Sequence, residues 1–146
     1  MNWITKPFDE LTPLELYKII QLRNEVFVVE QNCVFQDADD KDQKCYHLMG
    51  WNEDRLAAYT RLVPVGVSYP NYISIGRVIT NPKDRRSGFG KELMRVSIDK
   101  CYELWGKAPI KIGAQLYLKN FYESFGFQQI SDVYDEDGID HIEMLL

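Results

Sequence analysis

The chain has 146 residues, of which 45% are hydrophobic, 13% aromatic and 27% charged, a composition that excludes disorder and collagen-like repeats and suits one domain around one core. With 17 Lys+Arg against 22 Asp+Glu the net charge is −5, so no nucleic-acid partner is expected, because neutralising phosphates takes a basic face. No apolar run reaches the roughly 18 residues of a membrane helix, and the start MNWITKPFDE lacks the basic-then-apolar order of a signal peptide; a cytoplasmic protein with no membrane partner is the expectation.

The pattern reads as one domain without repeats or linkers, in the order β, α, β, β, β, α, β, α, β, β. In LTPLELYKIIQLRNEVF, Thr12 stands at N-cap, Pro13 at the first helical position and Glu15 at the capping-box position, and Leu11 and Leu16 stand where a hydrophobic staple would clamp the entry. Leu16, Ile19, Ile20 and Phe27 then share one helical face that should lie against a sheet. EQNCVFQDADDKDQKC has no sustained period and reads as an exposed loop with a short helical turn. YHLMGW and RLAAYTRLVPV flank the turn-prone NEDR as a hairpin, and NYISIGRVIT adds a third strand of a meander, ending before Asn81-Pro82. Met94, Ile98, Cys101 and Trp105 mark a long amphipathic helix. APIKIGAQ follows as a strand, LYLKNFYESFGF as a helix closed by Gly126, and the tail as two strands around DEDG.

In an acidic chain, the basic and flexible stretch RRSGFG stands directly before the long helix. A helix N-terminus presents unpaired N–H groups and the positive end of the helix dipole, so a glycine-rich approach flanked by Arg85 and Arg86 suits a phosphate. A plain turn with solvated arginines is the simpler alternative. The P-loop pattern GxxxxGK[ST] fails, since Gly88 stands too near Gly90-Lys91 and Glu92 replaces Ser or Thr; GxGxxG fails because Leu93 stands where its third glycine belongs.

IGRVITNPKDRRSGFGKEL, followed at a distance by AQLYLKNFYESFGF, resembles the Gcn5-related N-acetyltransferases (GNAT), whose signature [RQ]xxGx[GA] is met by Arg85, Gly88 and Gly90. LRNEVFVVEQNCVFQDADDKD further resembles the ElaA-like branch, so the resemblance covers nearly the whole chain. It implies an α/β (α+β) fold: a single domain, residues 1–146, with a mixed, strongly twisted central sheet and helices on both faces. It also implies acetyl transfer from acetyl-CoA to a primary amine by direct attack. Backbone near Val78 and Ile79 would meet the pantetheine or polarise the thioester carbonyl. The N–H groups of Arg86, Ser87, Gly88, Phe89, Gly90 and Lys91, with the Arg85 and Arg86 side chains, would hold the diphosphate. Tyr122 matches the family's acid for the leaving thiolate, and Asn120 is a candidate pantetheine contact. A homodimer is a family expectation.

An amine of pKa near 10.4 is only about one-thousandth neutral at pH 7, so the reaction needs help with a proton. Glu30 and His47 are candidate bases by layout, each with a structural role as its alternative. No metal is expected: in DADDKDQKCYHL, Asp42 replaces the EF-hand glycine and Leu48 its terminal glutamate, while Cys33, Cys45 and His47 lack zinc-site spacings. The three cysteines, Cys101 included, are odd in number without a CxxC pair and read as free thiols, and Cys33 with His47 is a weak catalytic pair. The acidic stretch Asp37 to Asp42 either attracts a small cationic amine or is simply solvated. Against the enzyme stands a second reading, an acyl-CoA sensor or interaction protein that keeps the fold without turnover.

Overall fold

The computed structural model describes all 146 residues. Strand β1 (Asn2–Pro7) leads into α1 (Pro13–Arg23). The capping box forms as the sequence predicts: Thr12 Oγ1 accepts from the Glu15 N–H at 3.1 Å, and the Glu15 carboxylate accepts from the Thr12 N–H at 2.8 Å. The helix does not run unchanged to Phe27, because Asn24–Glu30 is π-helical. Such a widened turn often sits at a functional site, and Phe27 and Glu30 here reach a cleft.

Strands β2 (Tyr46–Asn52), β3 (Arg55–Val63) and β4 (Ser74–Thr80) continue as the expected meander, giving the antiparallel order β1-β2-β3-β4. The long helix α2 (Phe89–Trp105) leads to β5 (Lys111–Gln115) and to the short α3 (Lys119–Glu123), which is closed by Gly126 at φ +103°. The tail contains three strands instead of two: β6 (Gln128–Gln129), β7 (Tyr134–Glu136) and β8 (Ile139–Leu145). β8 pairs with β5, β6 and β7, all antiparallel. Asp137 and Gly138 turn the last hairpin with φ of +53° and +82°, the left-handed pair that a two-residue type I′ turn demands.

The central β2 and β3 strands present alternate residues to two cores. Leu48, Ala58 and Leu62 face Leu93, Met94 and Cys101 of α2, while Met49 and Tyr59 face Ile19 and Leu22 of α1. Helices therefore cover both faces, as expected. The two halves of the sheet meet only at a parallel bridge between Ile73 and Ile110, where the Lys111 N–H donates to the Ile73 carbonyl at 3.0 Å. Beyond it β4 and β5 diverge, and this divergence positions the site.

Candidate active site

A cleft of about 660 Å³ opens between β4 and β5. One wall is a β-bulge. Gly76 pairs with Arg61 and Ile79 with Tyr59, so Arg77 and Val78 together face the single residue Thr60. Arg77 sits at φ +51°, a strained conformation for a long side chain. Its guanidinium is pinned by the Asp37 carboxylate at 2.8 Å, the Asp37 carbonyl at 2.9 Å and Asp39 at 3.3 Å. Val78 and Ile79 line the cleft directly after this kink, where ladder pairing is interrupted.

At the end of β4 the chain enters RRSGFG. Asp84 is buried and held by Arg55 at 2.9 and 2.5 Å, and the Ser87 hydroxyl donates to the Asp84 carbonyl. Arg86 at φ +70° and Gly88 at φ +82° then fold the backbone into α2. Gly88 is the N-cap residue and no side chain caps the helix. The N–H groups at Phe89, Gly90 and Lys91 are thus open at the positive end of a 17-residue helix, an arrangement suited to an anion. Arg86, Ser87, Gly88 and Lys91 are exposed, Phe89 is half-buried, and Gly90 lines the cleft.

Arg85 and Glu30 are brought together in an unexpected way. The Arg85 guanidinium donates to both Glu30 oxygens, at 2.9 and 2.6 Å, across 55 residues of sequence. Glu30 is therefore the ion-pair partner of Arg85 at the edge of the cleft, not a free base. His47 is corrected more firmly. Its Nε2 lies 2.8 Å from the Asp42 carbonyl, which can only accept, so Nε2 carries the proton and Nδ1 accepts from the Tyr59 hydroxyl at 2.7 Å. Both nitrogens are occupied and the residue is 1% exposed. Burial pushes its pKa down, and it does not line the cleft.

Tyr122 lines the cleft with only 6% of its surface exposed, packed edge-on against Phe121 and Phe127. Burial drives its phenol well above the ordinary tyrosine range, which keeps the proton in place for donation. Asn120 is exposed on the outer side of α3 and takes no part in the cleft; Gln115, at the end of β5, lines it instead.

Three of the four carboxylates in the acidic stretch, Asp37, Asp39 and Asp42, are paired, and only Asp40 is exposed without a partner. Arg23, fully buried, binds Asp37 at 2.6 Å and Asp42 at 2.7 Å; Arg61 binds Asp39 at 2.8 Å and Asp42 at 2.9 Å. Burial opposes ionisation of Asp39 and Asp42, but the bonds from Arg61 and Arg23 outweigh it and hold both carboxyls below their usual range. These carboxylates anchor the loop against β3 and the bulge, so they hold no charge in reserve for an amine. Glu136 and Asp137, from the β7–β8 turn, do reach the cleft, as does His141. A DG turn with a histidine three residues on was readable in the sequence, but its approach to β4 depends on the long-range β5–β8 pairing.

This wedge, bulge and uncapped helix define the class: the chain belongs to the acetyltransferase (GNAT) domain family, whose pattern matches residues 25–146. Among its relatives, protein ElaA of Escherichia coli is 41% identical over 146 residues, covering 99% of this chain and 95% of that one. The crystal structure of E. coli ElaA superposes with a TM-score of 0.92 at 40% identity over 99% of each chain. An acyl-CoA N-acyltransferase from Pseudomonas aeruginosa gives 0.92 at 39% identity over 99% of each chain. An aminoglycoside 6′-N-acetyltransferase solved with coenzyme A shares the fold, with a TM-score of 0.70 at 14% identity over 98% and 96% of the two chains.

Proposed function

We propose that the protein is an N-acetyltransferase that moves the acetyl group of acetyl-CoA to a primary amine by direct attack. The observation that carries this reading is the continuity of the cleft. It runs from the uncapped N-terminus of α2, past the bulge at Arg77 and Val78, to the buried phenol of Tyr122. The diphosphate of the cosubstrate fits the open N–H groups of Phe89 to Lys91 with Arg86 beside them, and the splayed backbone of Val78 and Ile79 suits an extended amide-bearing arm. The P. aeruginosa acyl-CoA N-acyltransferase shares the whole fold at 39% identity, which supports acyl transfer here.

The amine nitrogen forms its bond to the acetyl carbon as the carbon–sulfur bond breaks, and Tyr122 Oη supplies the proton that converts the departing thiolate to a thiol. Glu136 and Asp137 on the cleft wall favour a small cationic acceptor. Tyr122→Phe tests the reading. The rate of CoA release with an accepted amine should fall about a hundredfold, while acetyl-CoA affinity stays within twofold. An unchanged rate would remove Tyr122 as the acid, and an intact parent that binds acetyl-CoA but acetylates nothing would favour the sensor instead.

A further inference from the structure

Three residues past the Ile73–Ile110 bridge on each strand stand Gly76 and Gly113, and both line the cleft. Gly76 comes directly before the Arg77–Val78 bulge. Neither glycine is required by its backbone, since neither has a positive φ. A Cβ on Gly76 would meet nothing within 4 Å, so its absence answers no packing need. Glycine inside a strand weakens the sheet and often marks a place where a ligand or another group comes close to the backbone. At Gly113 the approaching atoms are two phenol oxygens: an added Cβ would stand 3.1 Å from Tyr134 Oη and 3.5 Å from Tyr69 Oη. Neither hydroxyl is hydrogen-bonded within the chain, and neither is sealed from solvent.

The geometry points to Tyr69 and Tyr134 as the residues that select the acceptor: their hydroxyls, over Gly113 where the wedge opens, hold the second ammonium of a linear diamine while its other nitrogen attacks. The assignment rests on the acetyltransferase reading and narrows its acceptor. The bare backbone at Gly76, next to the bulge, leaves room for the methylene chain that joins the two nitrogens.

Strand alternation gathers the surround. Ile112 and Ala114 turn into the core beneath α2, so Gly113 and Gln115 face the other way, as do their β8 partners Glu143 and His141 and, across β8, Tyr134. Tyr69 reaches the same face from the connection between β3 and β4. One ammonium already rests against it: Lys111 Nζ lies 4.7 Å from the centre of the Tyr69 ring and 3.3 Å from the Glu143 carboxylate. Lys111 thereby neutralises Glu143. His141 is settled too, with Nδ1 2.7 Å from the Ile139 carbonyl and Nε2 3.2 Å from Glu136, so both ring nitrogens face acceptors. The Asp137 carboxylate, on the same cleft wall, remains for a cation from outside. Burial, with Tyr134, Glu143 and Glu136 nearby, pushes the Tyr69 phenol up to about 12. A phenol that keeps its proton still offers its oxygen lone pairs to an N–H, and an acidic surround favours a charged donor over a neutral one.

Three probes of nearly equal size separate charge from shape: putrescine, 4-amino-1-butanol and n-butylamine. With CoA release followed at pH 7, the full chain should use putrescine with a kcat/KM about tenfold above that of either monoamine. Tyr69→Phe and Tyr134→Phe should each bring that ratio down to about threefold or less. A ratio near one in the parent, or a tenfold ratio that either Phe variant keeps, overturns the proposal while leaving the acetyltransferase intact. Aminobutanol used as well as putrescine overturns the ammonium. Gly76→Val, whose added carbon meets no neighbour, should keep the parent's thermal midpoint yet lose most of the putrescine rate; a rate within twofold of the parent overturns the path beside the bulge. If no probe turns over, the ring signals of Tyr69 and Tyr134, assigned by NMR with the two Phe variants, decide in titrations of the CoA-saturated chain. Putrescine should move them at about tenfold lower concentration than n-butylamine, and equal responses overturn the proposal. A parent that does not bind acetyl-CoA overturns the acetyltransferase reading, and this assignment with it.

Discussion

A histidine acts as a base only where one ring nitrogen keeps an open lone pair, and His47 is closed on both sides by the Asp42 carbonyl and the Tyr59 hydroxyl. Its contribution is to stability, and the sign follows from burial. The folded pKa is depressed, whereas the unfolded residue titrates near 6.5, so below that pH the unfolded chain binds a proton that the folded one refuses. Stability should fall as the pH drops from 7 to 5, by at most about 2 kcal/mol at pH 5 from this group. Asp39 and Asp42, held below their usual range, add to the loss only at lower pH, as each approaches protonation. In urea titrations at pH 7 and pH 5 the parent should show this decline, and His47→Asn should show less of it; an equal slope in both would remove His47 as its source. A second prediction concerns Glu30. Freeing Arg85 by Glu30→Gln should tighten acetyl-CoA binding several-fold by calorimetry, since the diphosphate no longer competes with a carboxylate. Weaker binding would mean that Glu30 positions Arg85 for the cosubstrate instead of withholding it.

Between the loop after α1 and the bulge of β4 lies a lattice of three arginines and three aspartates. Arg23 joins α1 to Asp37 and Asp42, Arg61 joins β3 to Asp39 and Asp42, and Arg77 joins the bulge to Asp37 and Asp39. The left-handed Arg77 is thus fixed from outside its own strand, and the cleft wall depends on the loop being in place. Replacing Arg23 by Met leaves Asp37 and Asp42 buried and partly unpaired, which should cost about 3–5 kcal/mol. Chemical denaturation of Arg23→Met against the parent measures it, and a loss under 1 kcal/mol would show that Arg61 and Arg77 satisfy both carboxylates alone. Local elements were readable where local chemistry sets them. The Thr12–Glu15 box started α1, the turn-prone NEDR between two strand-like runs marked the hairpin, and Gly126 closed α3. The π-helical turn and the third tail strand were not readable, because widening a helix at Asn24–Glu30 and breaking the tail near Ser131 depend on tertiary partners. Ser131 Oγ accepts the Glu143 N–H at 2.8 Å, a contact no local pattern announces.

Over the whole molecule, two antiparallel sheets joined at one parallel bridge make a wedge that neither sheet has alone. The signature residues Arg85, Gly88 and Gly90 and the wall residues Val78, Ile79 and Tyr122 could be placed from sequence because each sits within a short motif tied to its own strand or helix end. The other wall, with Gln115, Glu136 and His141, could not, since β8 reaches β5 across some 25 residues. The acidic loop misled for the same reason: its arginine partners come from α1, β3 and β4. In the proposed function, acetyl-CoA lies in the cleft with its diphosphate at the start of α2. The most direct measurement is the thermal midpoint with and without acetyl-CoA, for the parent and for Gly88→Asp, which adds a negative charge at the anion site and a side chain at φ +82°. At roughly a hundred times its dissociation constant the ligand should stabilise the parent by about 2.7 kcal/mol, a rise of several degrees, and should leave a folded Gly88→Asp unmoved. A parent whose midpoint does not move at saturating acetyl-CoA would exclude the cosubstrate from the cleft, and a variant that shifts as much as the parent would exclude the start of α2 as the diphosphate site.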